Sequence, residues 1–271
     1  MAIVKVRFQS SYLKRSVSFS AIIPTIRMED AMEDTALRSS GFKTLYMLHG
    51  YRGDCNDYLS GPEMQELSVK YNLACIFPSG ENSFYLEDID KGENFSAFIG
   101  KELVEVTRRM FRLSSSREDT FIGGISMGGY GAMINGLRYY DTFSKIISLS
   151  GAYIEINIAD KGEFIADQIS DTKYQKRIFR DPKSLRFTTK DPRYCMEVLK
   201  TSMYKFPDIY FVCGKDDFLI ESNRKLHDFM IANDVKHYYE EGEGFHNWVY
   251  WEKHLETSII WALSNTVNKC Y

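Results

Sequence analysis

The sequence predicts an α/β protein with a mostly parallel central sheet and helices on both faces. Three observations carry this prediction. Short apolar runs recur and end at glycine: "KTLYMLHG" (43–50), "LACIFPSG" (73–80), "SKIISLSG" (144–151) and "PDIYFVCG" (207–214). Each is apolar at successive positions rather than alternate ones, the pattern of a strand covered on both faces. Between them lie longer segments with helical spacing, and a strand-helix alternation builds a parallel sheet. The 271 residues, 44% hydrophobic and 26% charged, can bury a sizeable core.

The elements follow in order. "AIVKVRF" and "SVSFSAIIP" alternate apolar and polar residues and should pair as an antiparallel edge. The runs at 43–50 and 73–80 are the first inner strands. In "NFSAFIGKELVEVTRRMFRL", Phe95, Phe98, Ile99, Leu103, Val106 and Met110 recur at spacings of one, three and four, which predicts a helix. "REDTFIGGIS" is a third inner strand and "GAMINGLRYY" the helix after it, followed by the strands at 144–151 and 207–214. "LIESNRKLHDFMIAND" reads as a helix, "VKHYYEEGEG" as a last strand and "NWVYWEKHLETSIIWALS" as a closing helix. Residues 152–206 break the rhythm: they are rich in charge and contain no clear buried strand. They are expected to form a cap inserted over the sheet's C-terminal edge. No repeat, low-complexity tract or linker divides the chain, so 1–271 is read as one domain.

Several function classes are disfavoured. A net charge of −3 without any Lys/Arg-rich run argues against nucleic acid or an anionic membrane as partner. The longest apolar runs, such as "SIIWAL", are far shorter than a membrane span. The first residues lack the apolar stretch of a secretory leader. Cys55, Cys75, Cys195, Cys213 and Cys270 are odd in number and not closely paired, so a reduced, cytoplasmic protein is expected. No His or Cys pair has metal-ligand spacing, and the glycines of "GGISMGG" spell neither a dinucleotide nor a P-loop fingerprint. No metal or cofactor is predicted.

Parallel sheets of this kind take ligands beyond the strands' carboxyl ends, where these glycines lie. There Gly124-Ile125-Ser126-Met127-Gly128 matches G-x-S-x-G. Its strand-turn-helix context is that of a nucleophile elbow, in which larger residues flanking the serine would collide as strand and helix cross. A serine nucleophile needs a base. His227 falls in a helix, His237 in a strand and His254 well inside the last helix, whereas His246 sits in the glycine-flanked loop of "EGEGFHNWVYW" and is the expected base. Asp216 and Asp217, just past Gly214, are both candidates for the orienting acid. Oxyanion donors are expected from the backbone N–H of Met127 and from that of Tyr51 in "LYMLHGYRGD". His49 more simply orders that loop than acts as a base, and Cys55 more simply is an inert surface thiol than a cleft residue.

Together these stretches, with "IFPSGENSFYLED" and "CGKDDFLIESN", resemble the esterase D / tributyrin esterase group of α/β-hydrolases, related to feruloyl and acetyl-xylan esterases. The resemblance runs from about residue 43 to the C-terminus. It implies the α/β-hydrolase fold, Ser126 as nucleophile, His246 as base, and Tyr51 and Met127 as oxyanion donors. The group's acid precedes a Phe-Leu pair, which selects Asp217. Implied substrates are small-molecule short-chain acyl esters, tributyrin-like or on carbohydrates. S-formylglutathione thioesterase and mycolyltransferase-type acyl transfer are the enzymatic alternatives, and a silent binding domain the non-enzymatic one. Relatives often form homo-oligomers. Phe84 stands where the group commonly has Trp, and 152–206 is only loosely similar; both are expected to border the substrate pocket.

Overall fold

The computed structural model describes residues 1–25 and 41–264, so Cys270 lies outside the described residues. Strands β1 (Ala2–Ser10) and β2 (Arg15–Ile23) form an antiparallel hairpin, and β2 joins the sheet antiparallel to β4 (Ala74–Pro78). From there the sheet is parallel, through β3 (Thr44–Leu48), β5 (Thr120–Ile125), β6 (Lys145–Leu149), β7 (Asp208–Gly214) and β8 (Tyr238–Gly242). The spatial order is β1-β2-β4-β3-β5-β6-β7-β8.

Side chains of a strand point alternately to opposite faces. In β3, Tyr46 and Leu48 enter one apolar cluster while Leu45 and Met47 enter the other. This is why the inner strands read as continuously apolar. On the first face lie α3 (Met127–Arg138), α7 (Ile220–Ala232) and a composite helix α2, which begins as Phe95–Ala97, widens over Phe98–Glu102 and continues as Leu103–Met110. The second face is covered by α1 (Glu63–Tyr71) and α8 (Trp248–Leu263). No described helix is long and apolar enough to cross a membrane.

Between β6 and β7 the chain forms α4 (Ile154–Lys161), α5 (Thr172–Phe179) and α6 (Pro192–Ser202). Its charged residues are partly interior. Arg193 is gripped by Asp191 at 2.7 Å and by Asp160 at 2.8 Å. Gln175 is fully buried, and its Nε2 donates to the Ile165 carbonyl at 2.6 Å. That clamp, with the Ile165 amide returning to Gln175 Oε1 at 3.0 Å, fixes the loop leading into α5.

Candidate active site

Ser126 occupies the bend between β5 and α3 with φ 53° and ψ −118°. A non-glycine residue there is strained, by about 1–3 kcal/mol, and persists only where the surroundings enforce it. The enforcement is visible. The Ser126 amide donates to the Leu149 carbonyl at 2.9 Å, and its carbonyl accepts from the Ala152 amide at 2.9 Å. The flanking glycines meet as the sequence argument requires. A β-carbon on Gly124 would lie 2.3 Å from the Gly128 carbonyl oxygen, and one on Gly128 would lie 2.0 Å from that of Leu48. Strand, helix and the neighbouring β3 therefore touch through bare backbone.

The three side chains expected to act together are in register. His246, in the loop between β8 and α8, brings Nε2 to 2.9 Å from Ser126 Oγ and Nδ1 to 2.9 Å from Asp217 Oδ2. A proton on Nδ1 satisfies both contacts: Nδ1–H donates to the carboxylate, and Nε2 accepts from the serine hydroxyl. Asp217 is buried, and its other oxygen accepts the Leu219 amide at 2.9 Å. Asp216 is exposed, its amide tied to the Gly244 carbonyl, and it does not reach the imidazole. Sequence reasoning missed the imidazole's ring neighbours: Phe218, with centroids 4.7 Å apart, and Trp251, edge-on at 5.0 Å. Trp251 is in turn held by its indole N–H to Ser150 Oγ at 3.0 Å. Both residues lie inside the quoted motifs, but no spacing rule marks them.

The loop after β3 lies against the serine, since a β-carbon on Gly50 would come within 3.5 Å of Ser126 Cβ. His49 does order this loop. Its Nε2 accepts the Gly80 amide at 2.8 Å, which leaves Nδ1–H to donate to the Gly50 carbonyl at 2.7 Å. Burial holds its basicity below that of ordinary histidine, so it remains neutral. The Gly50 carbonyl also accepts the Gly53 amide at 3.1 Å. A trans peptide points its N–H opposite its C=O. Pinning the Gly50 oxygen therefore aims the Tyr51 N–H. Met127 is the first residue of α3, where an N–H has no acceptor within the helix.

A cavity of about 480 Å³ opens on Ser126 and His246. Its walls include Tyr51, Trp248 and Trp251, with Gln168 and Ile169 from the 152–206 region. That region thus borders the cavity as expected. Phe84 does not: it is fully buried beneath the helices, against Tyr130 and Phe179 at 5.4 Å each. Cys55 is buried, not on the surface, and is absent from the cavity wall. Of the other histidines, His227 in α7 pairs with His237 at 2.8 Å, His237 immediately preceding β8 rather than lying in it. His254 packs on Tyr250 within α8. Burial lowers the basicity of all three.

A family model described as Esterase matches residues 38–262. The chain belongs to this esterase family. An acetyl esterase of Caldicellulosiruptor saccharolyticus is 42% identical over 261 residues, 96% of this chain and 98% of that protein. Among solved structures, a fluorophosphonate-binding serine hydrolase of Staphylococcus aureus superposes with a TM-score of 0.82 at 25% identity. It covers 97% of this chain and 99% of its own. An S-formylglutathione hydrolase of Staphylococcus aureus also gives 0.82, at 26% identity with the same coverage. Shared architecture over nearly the whole length makes this an α/β-hydrolase fold.

Proposed function

We propose that this esterase is a serine carboxylesterase for short-chain acyl esters, acetyl esters foremost. The observation that carries the proposal is the unbroken line of hydrogen bonds from Asp217 through His246 to Ser126. Ser126 Oγ attacks the ester carbonyl while its proton passes to His246 Nε2. Asp217 keeps the imidazole in the correct tautomer and stabilises the imidazolium that forms. The amides of Tyr51 and Met127 donate to the oxyanion. The tetrahedral intermediate expels the alcohol, which takes the proton from His246 Nε2 and leaves an acyl-serine. Water, deprotonated by the same imidazole, then releases the carboxylic acid.

Support for a short acyl group comes from the 42% identical acetyl esterase. Four described thiols, each buried and none bridged, support a reducing, cytoplasmic setting. Ser126→Ala should lower the hydrolysis of p-nitrophenyl acetate by about 10³-fold or more. Retention of the wild-type rate would remove the nucleophile assignment. A second reading, thioester hydrolysis, is favoured by the 26% identical S-formylglutathione hydrolase. Turnover of S-formylglutathione above that of acetyl esters would prefer it.

A further inference from the structure

Both peptide units flanking Tyr51 are clamped, and the second clamp leads into the cap. Arg52 sits at φ 68°, a left-handed conformation that a non-glycine residue leaves unless held. Its amide donates to Asn82 Oδ1 at 2.7 Å. With the Gly50 carbonyl pinned on the other side by His49 and Gly53, the backbone of Tyr51 is defined from both ends. Asn82 is itself held from α5: the Tyr174 hydroxyl donates to the Asn82 carbonyl. The Tyr174 ring also stands edge-on to the Tyr51 ring, centroids 5.5 Å apart. Burial pushes the Tyr174 phenol well above its ordinary range, so it stays a donor. Tyr174 thus touches Tyr51 through its ring and Arg52 through Asn82.

We propose that Tyr174 and Asn82 are positioning residues for the oxyanion donor at Tyr51, so that the cap completes the catalytic site instead of only walling it. The inference rests on the serine-esterase reading above. An N–H aimed at a developing oxyanion acts mainly in the transition state, so loosening it should lower kcat and spare KM.

The test compares Tyr174→Phe, Asn82→Leu and Asn82→Asp with wild type and Ser126→Ala, using p-nitrophenyl acetate and a trifluoromethyl ketone that forms a tetrahedral adduct. Tyr174→Phe keeps the ring contact and removes one hydrogen bond, with an expected loss of about tenfold in kcat and KM within about twofold. Asn82→Leu removes the acceptor for the Arg52 amide, and about 30-fold is expected. Asn82→Asp restores an acceptor and should recover most of that loss. The inhibition constant of the ketone should rise by the same factors as kcat/KM falls. Wild-type kcat and ketone binding in Tyr174→Phe, with Ser126→Ala inactive, would overturn the positioning role alone. So would a rise in KM at unchanged kcat. Activity in Ser126→Ala would instead overturn the underlying reading. If Asn82→Leu does not fold, Tyr174→Phe, which deletes one hydroxyl, decides the matter.

Discussion

At the bend between β5 and α3, position is set by backbone crowding; in the segment between β6 and β7 it is set by buried polar side chains. Gly124 and Gly128 let three backbone segments meet with no side chain between them. The segment between β6 and β7 is instead held by groups such as Arg193, shared by Asp191 and Asp160, and Gln175, which spans its own loop. Crowding leaves a fixed spacing of small residues in the chain. A buried ion pair leaves only charged letters, which look like surface. The contrast explains why one region tolerates almost no added atom and the other should respond to changes of charge.

The largest expected effect breaks the crowded side. Gly128→Ala sets a methyl 2.0 Å from the Leu48 oxygen, whereas at Gly162, just after α4, the nearest atom, on Lys183, is 3.9 Å away. Gly128→Ala should abolish labelling by a fluorophosphonate probe in the soluble fraction. Gly162→Ala, strained only by its left-handed φ of 67°, should cost about 1 kcal/mol and leave activity intact. Normal labelling of Gly128→Ala would refute the crowding argument.

Next comes the choice between adjacent carboxylates at the sheet's edge. Asp217→Asn should reduce kcat by about 10³–10⁴-fold, because the amide favours the wrong imidazole tautomer. Asp216→Asn should stay within about twofold, since that side chain is exposed. Equal losses in the two variants would mean the acid has been misassigned.

The smallest effect sharpens the polar side. Glu155 in α4 is fully buried, and neither of its carboxylate oxygens has a hydrogen-bond partner among the described residues. Burial first, then the neighbouring Asp191, push its carboxyl well above the ordinary value of 4.5. The fold therefore binds this proton more tightly than the unfolded chain does. Its contribution to stability is complete below pH 4.5 and declines as pH rises toward the folded value. Glu155→Gln should remove that decline, so its melting temperature should gain on wild type between pH 5 and pH 8. Parallel melting curves across that range would count against a buried, protonated Glu155.

Most of the fold was legible because both faces of the sheet are covered, which made the inner strands continuously apolar. Helix α1 was not: it buries only Met64, Leu67 and Ser68, too few apolar positions to stand out. At the site, the glycines around Ser126 and the loop position of His246 pointed to residues that the structure brings together. Adjacent carboxylates look alike in sequence, and Asp217 separated from Asp216 only through the Phe-Leu pair that follows. In the structure the Leu219 amide binds Asp217 and orients it. Tyr174 and Asn82 were not legible, since their contacts join segments 92 residues apart. Phe84 was expected at the pocket because it stands where the resembling group commonly has Trp, but its side chain turns inward.

The bend at residue 126 also limits which side chain could ever stand there. A positive φ crowds a side chain that branches at its β-carbon, as threonine does, while serine and cysteine differ there by a single atom. The geometry that presents the hydroxyl to the cavity thus restricts the position to side chains unbranched at the β-carbon. A thiol could take the serine's place in the same backbone; a secondary alcohol would have to unbend it first.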